Sequence, residues 1–344
     1  MKKINFPSIG QFRSIINTVT HTARFVGVDE AGTLIYSDCE LPKLIFKGSV
    51  KLHGTNGGIN YNNKEGMWVQ SNNSIITPEK DNAGFAFFVS THKEQFKELF
   101  NQVSEREGID LDIYTLTIYG EWVGKGIQSG CGIHNLIEKS IFIFGIKVSI
   151  DDVDFVNYWL NCENYRDNDN CIYNVWDYEN YEIEIDFNNP ATAQKELADY
   201  TNAVENECPI AKALGYEGAG EGIVWICVYK DSKIQFKVKG EKHKGVRRKK
   251  RELAPIDIEK LENVNEFVEY AITEARLNQG ISNVFPNNEM LDIKKLGQFL
   301  KWLVIDVIKE ESDTLNKNNL IPRDVRKAIS AKGGAWFLEK YNKL

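Results

Sequence analysis

The sequence has 344 residues, of which 42% are hydrophobic and 26% charged. That is the composition of a soluble globular protein with a real core, long enough for one large domain or two ordinary ones. No run is long and apolar enough to span a membrane, whereas the net charge of -7 leaves a nucleic-acid ligand open, because the basic residues are unevenly spread and a local basic groove is enough.

The six cysteines (Cys39, Cys131, Cys162, Cys171, Cys208, Cys227) form no C-x-x-C pair and show no zinc spacing. Free thiols in a reducing cytosol are expected. The opening Met1-Lys2-Lys3-Ile4-Asn5-Phe6-Pro7 lacks the apolar core of a signal peptide, and the expected location is the cytoplasm.

In chain order, residues 4–36 read as a short lead-in helix and a hairpin turning at Asp29-Glu30-Ala31-Gly32. Strand-like runs follow from Leu44 to Lys51, at Gly58–Tyr61 and at Met67–Gln70. From Asp81 the pattern changes. Phe85, Phe88 and Val89, then Phe96, Leu99 and Phe100, recur at helical spacing and predict core-facing helices. Strands are expected at Tyr114–Tyr119 and Ile141–Val148, separated by a glycine-rich loop from Gly120 to Gly132. Helices are expected near 152–161 and 190–206, and two more strands at Ile223–Tyr229 and Ile234–Val238. Strands with intervening helices predict an α+β fold class for this part, residues 1–243. A basic run from Lys242 to Arg251 leads into a helical remainder. There Val264, Phe267, Val268, Ala271 and Ile272 share one face, and Leu296, Phe299, Leu300, Leu303, Val304 and Val307 share another. Residues 244–344 are thus expected to form a second, all-helical domain near the minimum size for its own core.

Five stretches carry chemistry. Lys51-Leu52-His53-Gly54-Thr55-Asn56 puts a lysine at a strand end beside tight glycine turns. Desolvation and cationic neighbours there would lower its pKa and make it a nucleophile. Tyr119-Gly120-Glu121-Trp122 releases a glutamate into a glycine loop. Phe142-Ile143-Phe144-Gly145-Ile146 is an apolar strand with aromatics alternating by face. Glu221-Gly222-Ile223-Val224-Trp225 opens a buried strand with a carboxylate. In Phe236-Lys237-Val238-Lys239 the two lysines point to one face, so both can reach one anion. Each stretch alone has a plain structural reading as core or solvated surface; the set in this order does not.

The set resembles the covalent nucleotidyltransferases, which include ATP-dependent DNA ligases, RNA ligases and mRNA capping enzymes. Their K-x-[DH]-G nucleophile motif is followed by a glutamate motif, an aromatic motif, an E-G motif and a K-x-K motif. The K-x-H-G-T-N form is similar to the bacteriophage RNA ligase type that seals nicks in duplex RNA. So are Gly120 to Gln128, matching G-E-x-x-G-x-G-I-Q, and the tail with Ala275-Arg276-Leu277-Asn278 and Ala335-Trp336. The resemblance implies a nucleotidyltransferase domain with antiparallel sheets and helices, followed by a small helical domain that engages RNA. It implies ATP and Mg2+ (or Mn2+) as cofactors and, as partner, nicked or structured RNA with 5′-phosphate and 3′-OH ends. Neither a membrane nor an obligate protein partner is implied.

On that resemblance Lys51 would attack the α-phosphate of ATP and form a lysyl-adenylate. The AMP would pass to an RNA 5′-phosphate, and a 3′-hydroxyl would displace it. Lys237 and Lys239 would stabilise charge on the α-phosphate. Phe144 would stack on adenine, Glu121 would accept from a ribose hydroxyl, and Glu221 would hold the metal. Hydrogen bonds near Val50 and Lys51 would select adenine, and Gly54 would belong to the same nucleotide site. Asn56 would touch the phosphate or the RNA end. His53 would touch pyrophosphate or the adenylate phosphate, with a purely structural histidine as the alternative. Two positions depart from the family: Asn72 stands where an arginine is usual, and Ile226 where the duplex-RNA ligase has a lysine. The rival readings are a DNA ligase or capping enzyme, opposed by His53 and by a helical tail in place of an oligonucleotide-binding barrel, an enzyme acting on RNA–DNA hybrids, and a non-catalytic end-binding protein.

Overall fold

The alternation of apolar and polar residues along the strands decides which face of each sheet is covered. The computed structural model describes residues 1–29, 32–150, 153–230, 232–240, 264–285 and 291–341. The chain divides into two compact units, Met1–Val238 and Lys239–Leu344. The strands are β1 Gly10–Gln11, β2 Phe25–Val28, β3 Leu34–Tyr36, β4 Lys43–Lys51, β5 Thr55–Asn62, β6 Gly66–Ser71, β7 Ile75–Ile76, β8 Thr115–Val123, β9 Ser140–Ile150, β10 Val153–Leu160, β11 Ile172–Asn174, β12 Asn180–Asp186, β13 Gly222–Tyr229 and β14 Ser232–Lys239. Between them lie helices α1 Phe12–Arg24, α2 Phe85–Thr91, α3 Lys93–Glu107, α4 Gln194–Asn206 and α5 Pro209–Ala213. The α+β class read from the sequence is the class observed.

One sheet runs β1-β14-β13-β4-β12. Its inward residues Phe46, Val50, Ile183, Ile185, Ile223, Trp225, Ile234 and Phe236 share a core with Ile15 and Val19 of α1 and Leu197 and Val204 of α4. Side chains alternate across a strand, so Lys47, Ser49 and Lys51 of β4 and Lys233, Lys237 and Lys239 of β14 belong to the other face. A second sheet runs β10-β9-β8-β5-β6-β7, with β11 also on β9. Its Leu116, Ile118, Ile141, Ile143, Ile146 and Val148 pack with Phe85, Phe96, Leu99 and Phe100 of α2 and α3. Asp81 starts α2 by accepting the amides of Ala86 at 2.8 Å and Phe87 at 2.9 Å. The opposite face of this sheet carries Tyr119, Glu121 and Phe144. That face and the uncovered face of the first sheet enclose a cleft, spanned where the Lys233 ammonium of β14 lies 4.1 Å from the Trp159 ring centroid of β10.

One expected helix is a strand. Residues 153–160 form β10, antiparallel to β9, with Tyr158 opposite Val148 and Leu160 opposite Ile146. A segment rich in β-branched and aromatic residues that follows β9 directly can extend the sheet, and edge pairing outweighs the apparent helical spacing. The helix expected near 190–206 is present as α4, preceded by a 3-10 turn at Pro190–Ala193. The hairpin after α1 is β2–β3; its central turn residues 30 and 31 and the basic run 242–251 lie outside the described residues.

The second unit contains α6 Val264–Ala271, α7 Glu274–Val284, α8 Leu296–Glu310, α9 Ser312–Lys317 and α10 Pro322–Tyr341. Phe267, Phe299, Leu303, Val307, Val325, Ile329 and Phe337 form its core. Arg276 bridges helices by pairing with Asp306 at 3.0 Å and Glu311 at 3.2 Å.

Phe236 is fully buried and touches the rings of Phe12, Phe46 and Trp225, tying α1, β4 and β13 together. Phe236→Ala is expected to destabilise the first unit by about 3–5 kcal/mol, the usual cost of truncating a core phenylalanine. Denaturant titration of the full chain followed by near-ultraviolet circular dichroism checks this.

Candidate active site

β4 ends where it leaves the core, and its last residue, Lys51, points into the cleft. Val50 and Leu52 on either side are buried in the helix-covered core, which fixes the strand and leaves the lysine on the cleft face. Across the ladder Lys51 stands opposite Gly222 and Val50 opposite Ile223, so the residue before β13, Glu221, lies beside the lysine. The Lys51 ammonium donates to Glu221 Oε2 at 2.6 Å. Glu221 is only 3% exposed, and His53 Nδ1 lies 3.4 Å from the same oxygen.

The second sheet supplies another carboxylate. Asn56 of β5 is opposite Glu121 of β8, and Gly57 is opposite Gly120. Glu121 Oε1 accepts the Gly54 amide at 2.9 Å, which pins the turn after the lysine against β8. A Cβ on Gly54 would strike the Trp122 carbonyl oxygen and the Val123 side chain, so the close approach requires glycine. Burial pushes the Glu121 carboxyl above the usual glutamate range and the Glu221 charge adds to the rise, against the pull of Lys51, the Gly54 amide and His53.

Phe144 owes its placement to a bulge. Tyr119 faces Gly145 and Gly120 faces Ile143, so the β8–β9 register slips by one residue there. Phe144 is the extra residue on β9, and a bulge re-aims the side chain it carries. Its ring is half-buried and meets Phe6 edge to face, with centroids 5.2 Å apart and an interplanar angle of 74°.

Lys51, His53, Gly54, Glu121 and Glu221 thus form one connected cluster. Val50 presents only backbone to it. Asn56 is next to Glu121 through the ladder, and Phe144 lies on the same face as Glu121. Lys237 and Lys239 share the cleft face of β14 by alternation. Asn72 is exposed after β6, and its carbonyl accepts from Lys3 Nζ at 2.9 Å, so a lysine from far away in sequence reaches that position. Among the described residues no group of three or more His, Cys, Asp or Glu side chains can hold a metal by itself. Glu221 with the nearby Glu121 fits the pattern of magnesium sites, in which one or two carboxylates act with substrate phosphates.

Sequence reasoning missed Phe6, Tyr119 and Trp159. They form an aromatic cluster against Phe144, with Phe6 centroids 5.1 Å from Tyr119 and 5.3 Å from Trp159. Nothing local marks Phe6, which meets rings more than a hundred residues away. Trp159 was obscured by the helical reading of its segment.

The two sheets thus bring a strand-end lysine and a buried carboxylate to one place. The family model for RNA ligase matches residues 46–314, from β4 into the second unit. The chain belongs to the RNA ligase family. Among solved structures it is similar to a mutant Naegleria gruberi RNA ligase with AMP and Mn (16% identity, 70% of this chain and 57% of that chain, TM-score 0.42). It is similar also to the ligase with PPi (14% identity, the same coverage, TM-score 0.42) and to an apo mutant (16% identity, the same coverage, TM-score 0.44). The chain therefore spans less than two thirds of those ligases. No curated protein matches it.

The raised Glu121 carboxyl sets a pH dependence. Stability from this group is full below the unfolded glutamate pKa of about 4.3 and is lost as pH rises through the higher folded value. Glu121→Gln keeps an acceptor for the Gly54 amide and removes the charge. The variant should be more stable than the parent at neutral pH, with the difference vanishing near pH 4. Urea midpoints at the two pH values read this directly.

Proposed function

We propose that the protein is an ATP-dependent RNA ligase, joining 3′-OH and 5′-phosphate ends through lysyl-adenylate and RNA-adenylate intermediates, with nicks in duplex RNA as substrate and RNA repair as role. The observation that carries this reading is the Lys51–Glu221 pair in the cleft of a chain belonging to the RNA ligase family.

The Lys51 amine is the clustered nucleophile that this reading assigns to phosphoramidate formation. Once deprotonated, its nitrogen attacks the α-phosphorus of ATP; the N–P bond forms, the bond to the bridging oxygen breaks, and pyrophosphate leaves. An RNA 5′-phosphate oxygen then takes the adenylyl group and frees the lysine. A 3′-hydroxyl finally attacks the 5′-phosphorus, loses its proton and expels AMP. The ion pair with Glu221 would hold the Lys51 side chain in place until the nucleotide arrives. A magnesium or manganese ion bound through Glu221 would neutralise phosphate charge and compete with the lysine for that carboxylate. Lys237 and Lys239 lie on the face where charge would build on the α-phosphate. Glu121 is suited to a ribose hydroxyl and Phe144 to the base. His53, paired with Glu221, could contact the departing pyrophosphate. The second unit, residues 244–344 in this reading, would grip RNA.

Incubated with magnesium and ATP, the protein should acquire label from the α-phosphate and none from the γ-phosphate. A protein that binds RNA ends but takes up no label would be the non-catalytic alternative. Lys51→Ala should abolish the uptake; because it leaves the buried Glu221 without its ammonium partner, circular dichroism checks that the variant is folded, and covalent uptake by it would mean another nucleophile.

Phe144→Ala should weaken ATP binding by about 1–3 kcal/mol, the worth of base–aromatic stacking, measured as the ATP concentration giving half-maximal adenylation. An unchanged value would put the base elsewhere. A chain ending near Lys244 should still adenylate itself and close pre-adenylated nicks, but seal 5′-phosphate nicks poorly. Equal sealing would assign RNA engagement to the first unit.

A further inference from the structure

The segment Lys2–Phe6 has no regular secondary structure, yet side chains of the second sheet hold it throughout. Trp68 Nε1 donates to the Lys2 carbonyl at 3.0 Å. The Ile4 amide donates to Gln70 Oε1 at 2.9 Å, and the Ile4 carbonyl accepts from Gln70 Nε2 at 2.5 Å and from the Tyr119 hydroxyl at 2.7 Å. Lys147 Nζ donates to the Asn5 carbonyl at 3.3 Å. Gln70 is 3% exposed, so its amide is committed to this segment and to Asn60. An irregular backbone anchored this fully holds a fixed position. It presents Phe6 to three rings at once: Tyr119, Phe144 and Trp159.

The chain then crosses to the first sheet. β1 pairs with β14, placing Gly10 opposite Phe236 and Gln11 opposite Lys237. One short stretch thus ties the aromatic end of the cleft to the strand that carries Lys237.

We propose that Phe6 is a nucleotide-positioning residue, which acts by fixing the plane of the Phe144 ring on which the base stacks. This rests on the reading of Phe144 as the base shelf. The terminal torsion of a phenylalanine is broad, and Phe144 sits at a bulge, where the ladder does not constrain it fully. An edge-to-face partner has a preferred geometry, so Phe6 selects one orientation before the base arrives. A preorganised shelf binds the base without first ordering the ring, and its loss weakens nucleotide binding without touching the groups that react.

The test is adenylation of the full chain as a function of ATP concentration, with fold monitored by thermal melting. Phe6→Ala should raise the half-saturating ATP concentration about threefold to tenfold, the range that one aromatic pair supplies, while the saturating rate stays within about twofold. Phe6→Tyr keeps the ring and should restore binding; Phe6→Leu fills the space without a ring and should not. Tyr119→Phe removes the hydroxyl that anchors Ile4 and should shift half-saturation in the same direction, which keeps the proposal testable if Phe6→Ala fails to fold. An unchanged half-saturation in Phe6→Ala, or in Tyr119→Phe where Phe6→Ala does not fold, overturns the proposal. So does rescue by leucine equal to that by tyrosine. In both cases the function proposed above survives, because the parent protein still adenylates. If the parent fails to adenylate, that reading and this one fall together.

Discussion

The cluster in the cleft depends on one ion pair. Lys51 ends β4 and Glu221 immediately precedes the adjacent β13, and the antiparallel register that places Lys51 opposite Gly222 brings their side chains together at 2.6 Å. A buried carboxylate without a partner is costly, so Glu221 and Lys51 need each other in the resting protein. In the function proposed above, the pair would hold the amine in place until an incoming cation competed for the carboxylate, so that nucleotide arrival would release the lysine.

The rest of the cleft is built by register. The Gly54 turn can close on β8 only because position 54 lacks a side chain, and closing it brings Glu121 to within hydrogen-bonding distance of that turn. The one-residue slip between β8 and β9 turns Phe144 toward the same face. Each device places one side chain, at the expense of a crowded turn in one case and a broken ladder in the other, as functional sites often do.

Much of the architecture was legible because it follows from short-range pattern. Apolar runs marked β4, β8, β9, β13 and β14, and a 3.6-residue period marked α2, α3, α6 and α8. The strand at residues 153–160 was misread because its pairing with β9 outweighs a spacing that also fits a helix. The chain order of Lys51, Glu121, Phe144, Glu221 and Lys237 was visible; how they are brought together was not. The bulge depends on the pairing of two strands, and the link between Phe6 and Phe144 on a contact 138 residues apart in a 344-residue chain. Neither leaves a local trace. The same holds for Lys3, whose ammonium donates to the Asn72 carbonyl.

The most direct test of the central claim is to locate the covalent bond. The full-length protein is incubated with ATP and magnesium, digested under conditions that preserve phosphoramidates, and its peptides are fragmented by mass spectrometry. The account predicts an AMP adduct on the peptide containing Lys51, assigned to that side chain, and its loss when pyrophosphate is added before digestion. An adduct on any other residue, or a parent protein that binds ATP and carries no adduct, would contradict it.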